Sequence, residues 1–421
     1  MELTLVLLFL AGYIAIIFEH NIKVNKAGIA LCTGALCWTV FILLSSSGHD
    51  AVLENINEEL GSIASVLFFL IGAMTIVEVM DAHDAFCFIT DKIHTHSKRK
   101  LLWIIALITF FLSAMLDNLT TTIVMVLLLR KLIDSRKERL LFASIVVIAA
   151  NAGGAWTPLG DVTTTMLWIG KQVTTGTIIT KLFLPSIISL LVPLTILSFM
   201  VKGEVAPSTS PSIAHRHVLP VRVRNSVFLL GVGLLVNVPV FKALTGLPPY
   251  VGMMLGVGIL WAYTGLFYRK YAGTSFKRNF SVTGALQRVD MPTILFFLGI
   301  LLCIGSLRYS GILSSMATWL DNTVGNQAAI VTIIGMISAV VDNVPLVAAA
   351  QGMYSFPTDH FFWEFLAYAA GTGGSMLIIG SAAGVAAMGL ENINFIWYLK
   401  RISWLALLGY LAGAGAYLLL F

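Results

Sequence analysis

The chain has 421 residues, of which 58% are hydrophobic and only 11% charged, against about 25% charged in a soluble domain. Apolar runs recur from Leu3 to Phe421, so the expected class is an all-α polytopic membrane protein in contact with membrane lipid. The net charge of +5 then reflects basic residues gathered in cytoplasmic loops, and nucleic-acid binding is excluded as its explanation.

In chain order, the first stretch (residues 1–18) lacks a basic n-region and reads as a first membrane helix. Lys23 and Lys26 follow it, which places that turn inside and the N-terminus outside. Residues 45–59 hold Asp50, Glu54, Glu58 and Glu59 but no Lys or Arg, and read as an outer loop. After a third span, Lys92, Lys98, Arg99 and Lys100 return to the inside. Glu78 and Asp81, with His83 and Asp84, sit at the inner end of that span, either as a solvated helix end or as a gate that senses pH.

Residues 101–129 are apolar yet lie between two basic clusters, the second holding Arg130, Lys131, Arg136, Lys137 and Arg139. One helix of that length would be about 43 Å long, against a hydrocarbon core of roughly 30 Å. A re-entrant hairpin from the inside satisfies both constraints and puts Asp117 and Asn118 at its tip. Residues 140–170 should then cross outward, interrupted by Asn151-Ala152-Gly153-Gly154-Ala155-Trp156-Thr157-Pro158-Leu159-Gly160-Asp161, a stretch that must unwind. Residues 182–201 return. A Pro- and Ser-rich segment at 202–224 reads as a mobile cytoplasmic connector.

The second half, 225–421, repeats the plan of 1–201 in the opposite orientation. Spans at 227–241, 250–267 and 291–307 precede a hairpin at about 328–356 with Asp342-Asn343 at its tip. A second interrupted span at about 361–389 is broken at Gly371-Thr372-Gly373-Gly374-Ser375 and Gly380-Ser381, and residues 402–421 cross last. The expected fold is therefore an inverted repeat with about ten crossings, two hairpins and two interrupted helices.

Each hairpin tip joins the carbonyl end of one helix to the N–H end of another, which suits a cation and a carboxylate respectively. An acid at membrane depth is costly and is usually functional. Asp117 and Asp342 supply charge, Asn118 and Asn343 neutral oxygens, and Asp161 closes the first unwound segment beside Thr163 and Thr164. Hydroxyls, carbonyls and carboxylates form a hard environment suited to Na⁺ or Li⁺. Buried acids held close together cannot all ionise, so proton and cation compete for them. The alternative is that these residues merely cap helices. Cys32, Cys37, Cys87 and Cys303 show no metal-ligand spacing, and neither G-x-x-x-x-G-K-[ST] nor H-E-x-x-H occurs. Transport driven by an ion gradient, without a cofactor and without enzymatic chemistry, is what remains.

The stretches Ser113-Ala114-Met115-Leu116-Asp117-Asn118-Leu119-Thr120-Thr121-Thr122 and Asn151 through Thr164 resemble the NhaD-type sodium/proton antiporters of the ion transporter superfamily. The likeness continues through Asp342-Asn343 and the 371–375 segment to nearly the whole chain. It implies exchange of Na⁺ or Li⁺ for H⁺ in a bacterial inner membrane or a chloroplast envelope, by a homodimer whose transport domain moves as an elevator. It also implies that Asp117, Asn118, Asp161, Asp342 and Asn343 bind the cation and proton. By the same likeness Asn151, Thr163, Thr164 and Ser338 are needed for transport, and from the sequence itself Ser113, Thr121, Thr157, Thr372, Ser375 and Ser381 are expected as further polar support. The competing expectation is an anion permease or Na⁺-coupled symporter of the same superfamily, for arsenite, silicate or a dicarboxylate. Against it, both tips carry Asp, and no Arg or Lys lies in the tips or unwound segments.

Overall fold

The computed structural model describes residues 1–45, 48–87, 93, 95, 97–201, 203–204, 219–267 and 280–421. Most of the connector expected at 202–224 and the basic residues Lys92, Lys202, Arg269, Lys270, Lys277 and Arg278 lie outside them. The described elements are helices, with one isolated bridge between Ser97 and Glu204.

The first half opens with α1 (Glu2–Ile17), α2 (Glu19–Ile22), α3 (Lys26–Leu44) and α4 (His49–Ala82). A helical pair follows, α5 (Lys98–Ser113) and α6 (Asn118–Leu132), and then a second pair, α7 (Arg136–Gly154) and α8 (Val162–Ile169). The long α9 (Thr175–Met200) closes this half. The second half runs α10 (Val221–Thr245), α11 (Pro249–Phe267), α12 (Val282–Leu286), α13 (Met291–Tyr309) and α14 (Ile312–Thr323). Its two pairs are α15 (Gln327–Ile337) with α16 (Asn343–Met353) and α17 (Phe361–Gly373) with α18 (Ala382–Glu391), before α19 (Phe395–Arg401) and α20 (Ser403–Leu420). Among the described residues seven helices, α3, α4, α9, α10, α11, α13 and α20, are long and apolar enough to cross a membrane. The protein is an integral membrane protein.

Three sequence-based boundaries change. The acidic stretch expected as an outer loop is largely helical, because α4 already begins at His49. Acidic composition marks a segment as lying outside the membrane but does not oppose helix, and Asp50 in the first turn favours it. Residues 221–224, counted with the connector, form the first turn of α10. Helix α14 was not anticipated: its Ser, Thr and Asp residues hide an apolar stripe through Leu313 and Ala317, both buried.

Contacts between distant residues show how the pairs are folded back. Lys98 at the start of α5 lies 2.7 Å from Glu138 at the start of α7, so the chain between them returns to the face it left. Likewise Asp321, near the end of α14, accepts a hydrogen bond from the Tyr354 hydroxyl just past α16 at 3.1 Å. The far end of α8 meets this second face, where the Thr358 hydroxyl donates to the Lys171 carbonyl at 2.8 Å and Asp359 N–H to that of Gln172 at 2.8 Å. Helices α17 and α18 run the other way, beginning beside Asp359 and ending at Glu391 among the arginines of α6 and α7. Arm α5 packs on α7 and arm α15 on α17, whereas α6 packs on α18 and α16 on α8. The second arm of each hairpin-like pair thus touches the opposite half of the chain as well as its own.

Glu391 pins this crossing. Its side chain is 2% exposed and lies 2.7 Å from Arg130 Nε and 3.1 Å from Arg139 Nε, while Arg130 also donates to the Leu390 carbonyl. Replacing it as Glu391→Gln leaves two guanidinium groups facing a neutral amide. We expect a loss of about 1–3 kcal/mol, below the range for a fully buried pair because Arg130 is partly exposed. It should appear as a lower melting temperature in detergent.

Candidate functional site

Four short helices start at a turn or a break in the chain, and each carries an oxygen-bearing side chain at its N-cap: Asp117 on α6, Asp161 on α8, Asp342 on α16 and Ser381 on α18. Such residues satisfy backbone N–H groups that would otherwise be orphaned in the membrane interior. Three do so. Asp117 Oδ1 accepts from Thr120 N at 2.7 Å, Asp342 Oδ1 from Val344 N at 3.2 Å, and Ser381 Oγ from Gly384 N at 3.1 Å.

Asp161 is different. No side-chain cap bond to the first turn of its helix is formed, and its carboxylate is instead the meeting point of three side-chain donors. Thr163 Oγ1 donates to Oδ2, Asn118 Nδ2 to Oδ1 at 3.1 Å, and Asn343 Nδ2 to Oδ2 at 3.3 Å. The asparagines of both Asp-Asn pairs therefore converge on one carboxylate that is only 2% exposed. Asn151 extends the network: its Oδ1 accepts from Asn118 at 3.1 Å, and its Nδ2 donates to Ser375 Oγ and Ser381 Oγ, both at 2.9 Å. Among the described residues, no Lys or Arg pairs with Asp161.

The close approach rests on paired contacts in the two halves. Ser113 Oγ donates to the Ala150 carbonyl at 2.6 Å, and Ser338 Oγ to that of Ala370 at 3.1 Å. A Cβ at Gly153 would lie 2.1 Å from the Phe110 carbonyl oxygen, and one at Gly373 would lie 2.0 Å from that of Gly335. Each glycine lets the first arm of a pair pass against the helix that breaks beside it. Thr157 Oγ1 ties the first break to the Ala114 carbonyl at 2.6 Å and accepts from Gly160 N at 3.1 Å.

The five expected binding residues are thus only partly gathered. Asn118, Asp161 and Asn343 meet directly, and Asp342 is the chain neighbour of Asn343 at the cap of α16. Asp117 is turned away from them, its second oxygen accepting from Thr120 Oγ1 at 2.7 Å. The expectation of three carboxylates in one cluster therefore gives way to one central acid with two flanking caps, because the caps' oxygens are drawn to orphaned N–H groups. Among the described residues no three acids, histidines or cysteines gather as a metal-binding group. Thr121 and Thr164 have buried hydroxyls without a hydrogen-bond partner, and so does Thr122, which sequence reasoning passed over. Its position four residues after Asn118, on the same helix face, was the available signal. Thr372 Oγ1 bonds back to the Tyr368 carbonyl at 2.6 Å. Glu78 stands apart from the network and pairs with Arg288 at 3.1 Å; Asp81 is exposed at the end of α4.

Residues 13–373 match the profile of a family described as citrate transporter. The chain belongs to that family. It is 48% identical to sodium/proton antiporter 1 of Arabidopsis thaliana over 99% of this chain and 72% of the relative. With sodium/proton antiporter 2 of the same plant it shares 47% identity over 98% of each chain. The Na⁺/H⁺ antiporter NhaD of Vibrio cholerae is 30% identical over 98% of this chain and 91% of its own length. The resemblance to NhaD-type antiporters drawn from the motifs agrees with these relatives.

Proposed function

We propose that this chain exchanges Na⁺ or Li⁺ for H⁺ across a membrane, with Asp161 as the group for which cation and proton compete. The observation that carries this reading is a carboxylate buried inside a membrane protein and, among the described residues, bonded by neutral donors, two of them from opposite halves of the chain. Such a group is stabilised either by taking a proton or by holding a small cation. The relatives named sodium/proton antiporters support it. Asn118, Asn151, Asn343 and the hydroxyls of Thr163, Ser375 and Ser381 order the site. Asp342 and Asp117 keep its surroundings negative.

Proteoliposomes with an imposed pH gradient should lose it on addition of Na⁺ or Li⁺, with K⁺ weaker. Absence of any Na⁺- or Li⁺-dependent proton movement between about pH 6 and 10 would refute the reading. The family's description favours a second possibility, citrate transport. A trianion needs a cationic partner, and among the described residues none stands at this site. Uptake of labelled citrate should therefore remain at the level of empty vesicles.

In the same reading the two halves form an inverted repeat, and α5–α6 and α15–α16 are re-entrant hairpins from opposite faces. The ten crossings are the seven long helices, α1 and the two broken pairs. Single cysteines replacing Lys98 and Lys137 should react only from the inside, and one replacing Thr358 only from outside. A homodimer, the elevator-type movement and placement in a bacterial inner membrane belong to this proposal through the resemblance alone, and the outside N-terminus through the charges of Lys23 and Lys26.

A further inference from the structure

A cavity of about 310 Å³ lies between α4 and α13 on one side and the ends of α8 and α16 on the other. It shares no lining residue with the network around Asp161. Glu59, Ser62 and Ser65 of α4 and Arg308 of α13 face Gln172 and Gln351 across it. Glycines make room for these polar groups. A Cβ at Gly305 would lie 2.6 Å from Glu59 Cγ, and one at Gly170 would lie 2.2 Å from Gln172 Oε1 and 2.9 Å from Gln351 Nε2. The two glutamines bond each other at 3.0 Å, and Gln351 also donates to the Met166 carbonyl in the last turns of α8 at 3.4 Å.

Glu59, its side chain 12% exposed, is held here by one long ion pair. Its Oε2 is enclosed and accepts no hydrogen bond, and Arg308 Nη1 stands off at 3.5 Å, beyond the reach of a strong charge-assisted bond. The cavity is polar and large enough to hold several waters. A carboxylate, two hydroxyls, amide oxygens and the carbonyl end of a helix are hard donors suited to an alkali cation. The floor also matters: Met166 is five residues beyond Asp161 on α8, and Ala348 five beyond Asn343 on α16. Each step is about 7.5 Å of helix, so the same two helices that carry the central site lead into this chamber.

We propose that the cavity is a second, weaker cation site, an antechamber in which Glu59 gathers the alkali cation before it reaches Asp161. Arg308 offsets part of the charge and keeps the hold loose enough for release. This rests on cation exchange as proposed above, and the two can fail separately.

The test measures exchange in oriented proteoliposomes with Na⁺ added on either side. Glu59→Gln should raise the apparent KM for Na⁺ about fivefold from the face on which α8 ends, the effect of losing one partly screened charge, and not from the opposite face. Arg308→Gln should lower it from that same face. In a chain whose four native cysteines are replaced, Ser62→Cys should react with a membrane-impermeant cationic thiol reagent. Sodium, but not choline, should slow that reaction. Unchanged KM values for both charge variants, or labelling at position 62 that is absent or indifferent to sodium, overturns the antechamber. If the unmodified protein exchanges no sodium for protons, the functional reading fails, while sodium protection at position 62 still decides the cavity.

Discussion

Asp161→Asn should reduce sodium-driven proton movement at least a hundredfold while leaving the protein folded. The substitution keeps size and shape but removes the charge on which Asn118, Asn343 and Thr163 converge. It also places an amide NH₂ opposite donors that need an acceptor, so the pocket loses its attraction for the cation and its titrating group together. Asp117→Asn is the informative comparison. Asparagine caps a helix about as well as aspartate, so the bond to Thr120 N survives and only the flanking charge goes. We expect a fall of roughly tenfold, about what one nearby charge contributes in a partly screened setting. Asp81→Asn, at an exposed helix end, should behave as the unmodified protein. The measurement is the initial rate of dye dequenching in proteoliposomes, with melting temperature as the control for folding. Wild-type rates in Asp161→Asn would move the site elsewhere.

The second large effect is on stability. Gly153→Ala and Gly373→Ala each place a methyl group against a backbone carbonyl, 2.1 Å from that of Phe110 and 2.0 Å from that of Gly335. Neither obstacle is the free end of a side chain that could swing away, so the helices must separate. Overpacking of this kind costs about 1–3 kcal/mol or more, which in a chain of 421 residues corresponds to a drop of roughly 1–3 °C or more in melting temperature. Gly233→Ala is the matched control: it lies within α10 with open space around its Cβ position, and alanine there should be neutral or slightly stabilising. Fluorescence-detected size exclusion after heating would separate the three variants. Equal melting curves for Gly153→Ala and the unmodified chain would mean the pairs are looser than the contacts describe.

Several features of the site were legible in the residues. Acids inside apolar runs are conspicuous because the membrane penalises them, so Asp117, Asp161 and Asp342 stood out without a structure. Helix breaks were equally readable, since Gly-Gly and Pro within a span cannot continue a helix unaided. The observed breaks at 155–161 and 374–381 fall inside the interrupted stretches expected from sequence. What could not be read was the direction in which each polar group turns. Asp117 and Asp342 look equivalent to Asp161 in sequence. Only the fold shows that Asp117 uses both its oxygens and Asp342 one oxygen to cap their own helices, while the third meets the asparagines. Asn151 looked like one supporting residue among many, yet it joins the two halves through Ser375 and Ser381.

The sequence by itself determined membrane class, the doubled Asp-Asn pattern, the places where helices must break and the family likeness, because each follows from local composition and short-range spacing. The tertiary structure decided which carboxylate the two asparagines meet, how each hairpin-like pair also touches the other half, and that Glu59 faces a chamber rather than a loop. Those outcomes depend on hydrogen bonds between residues from 43 to 230 positions apart, and on glycine contacts between separate helices. No local pattern encodes them, since a donor's choice of acceptor is settled only when the helices that carry both are packed together.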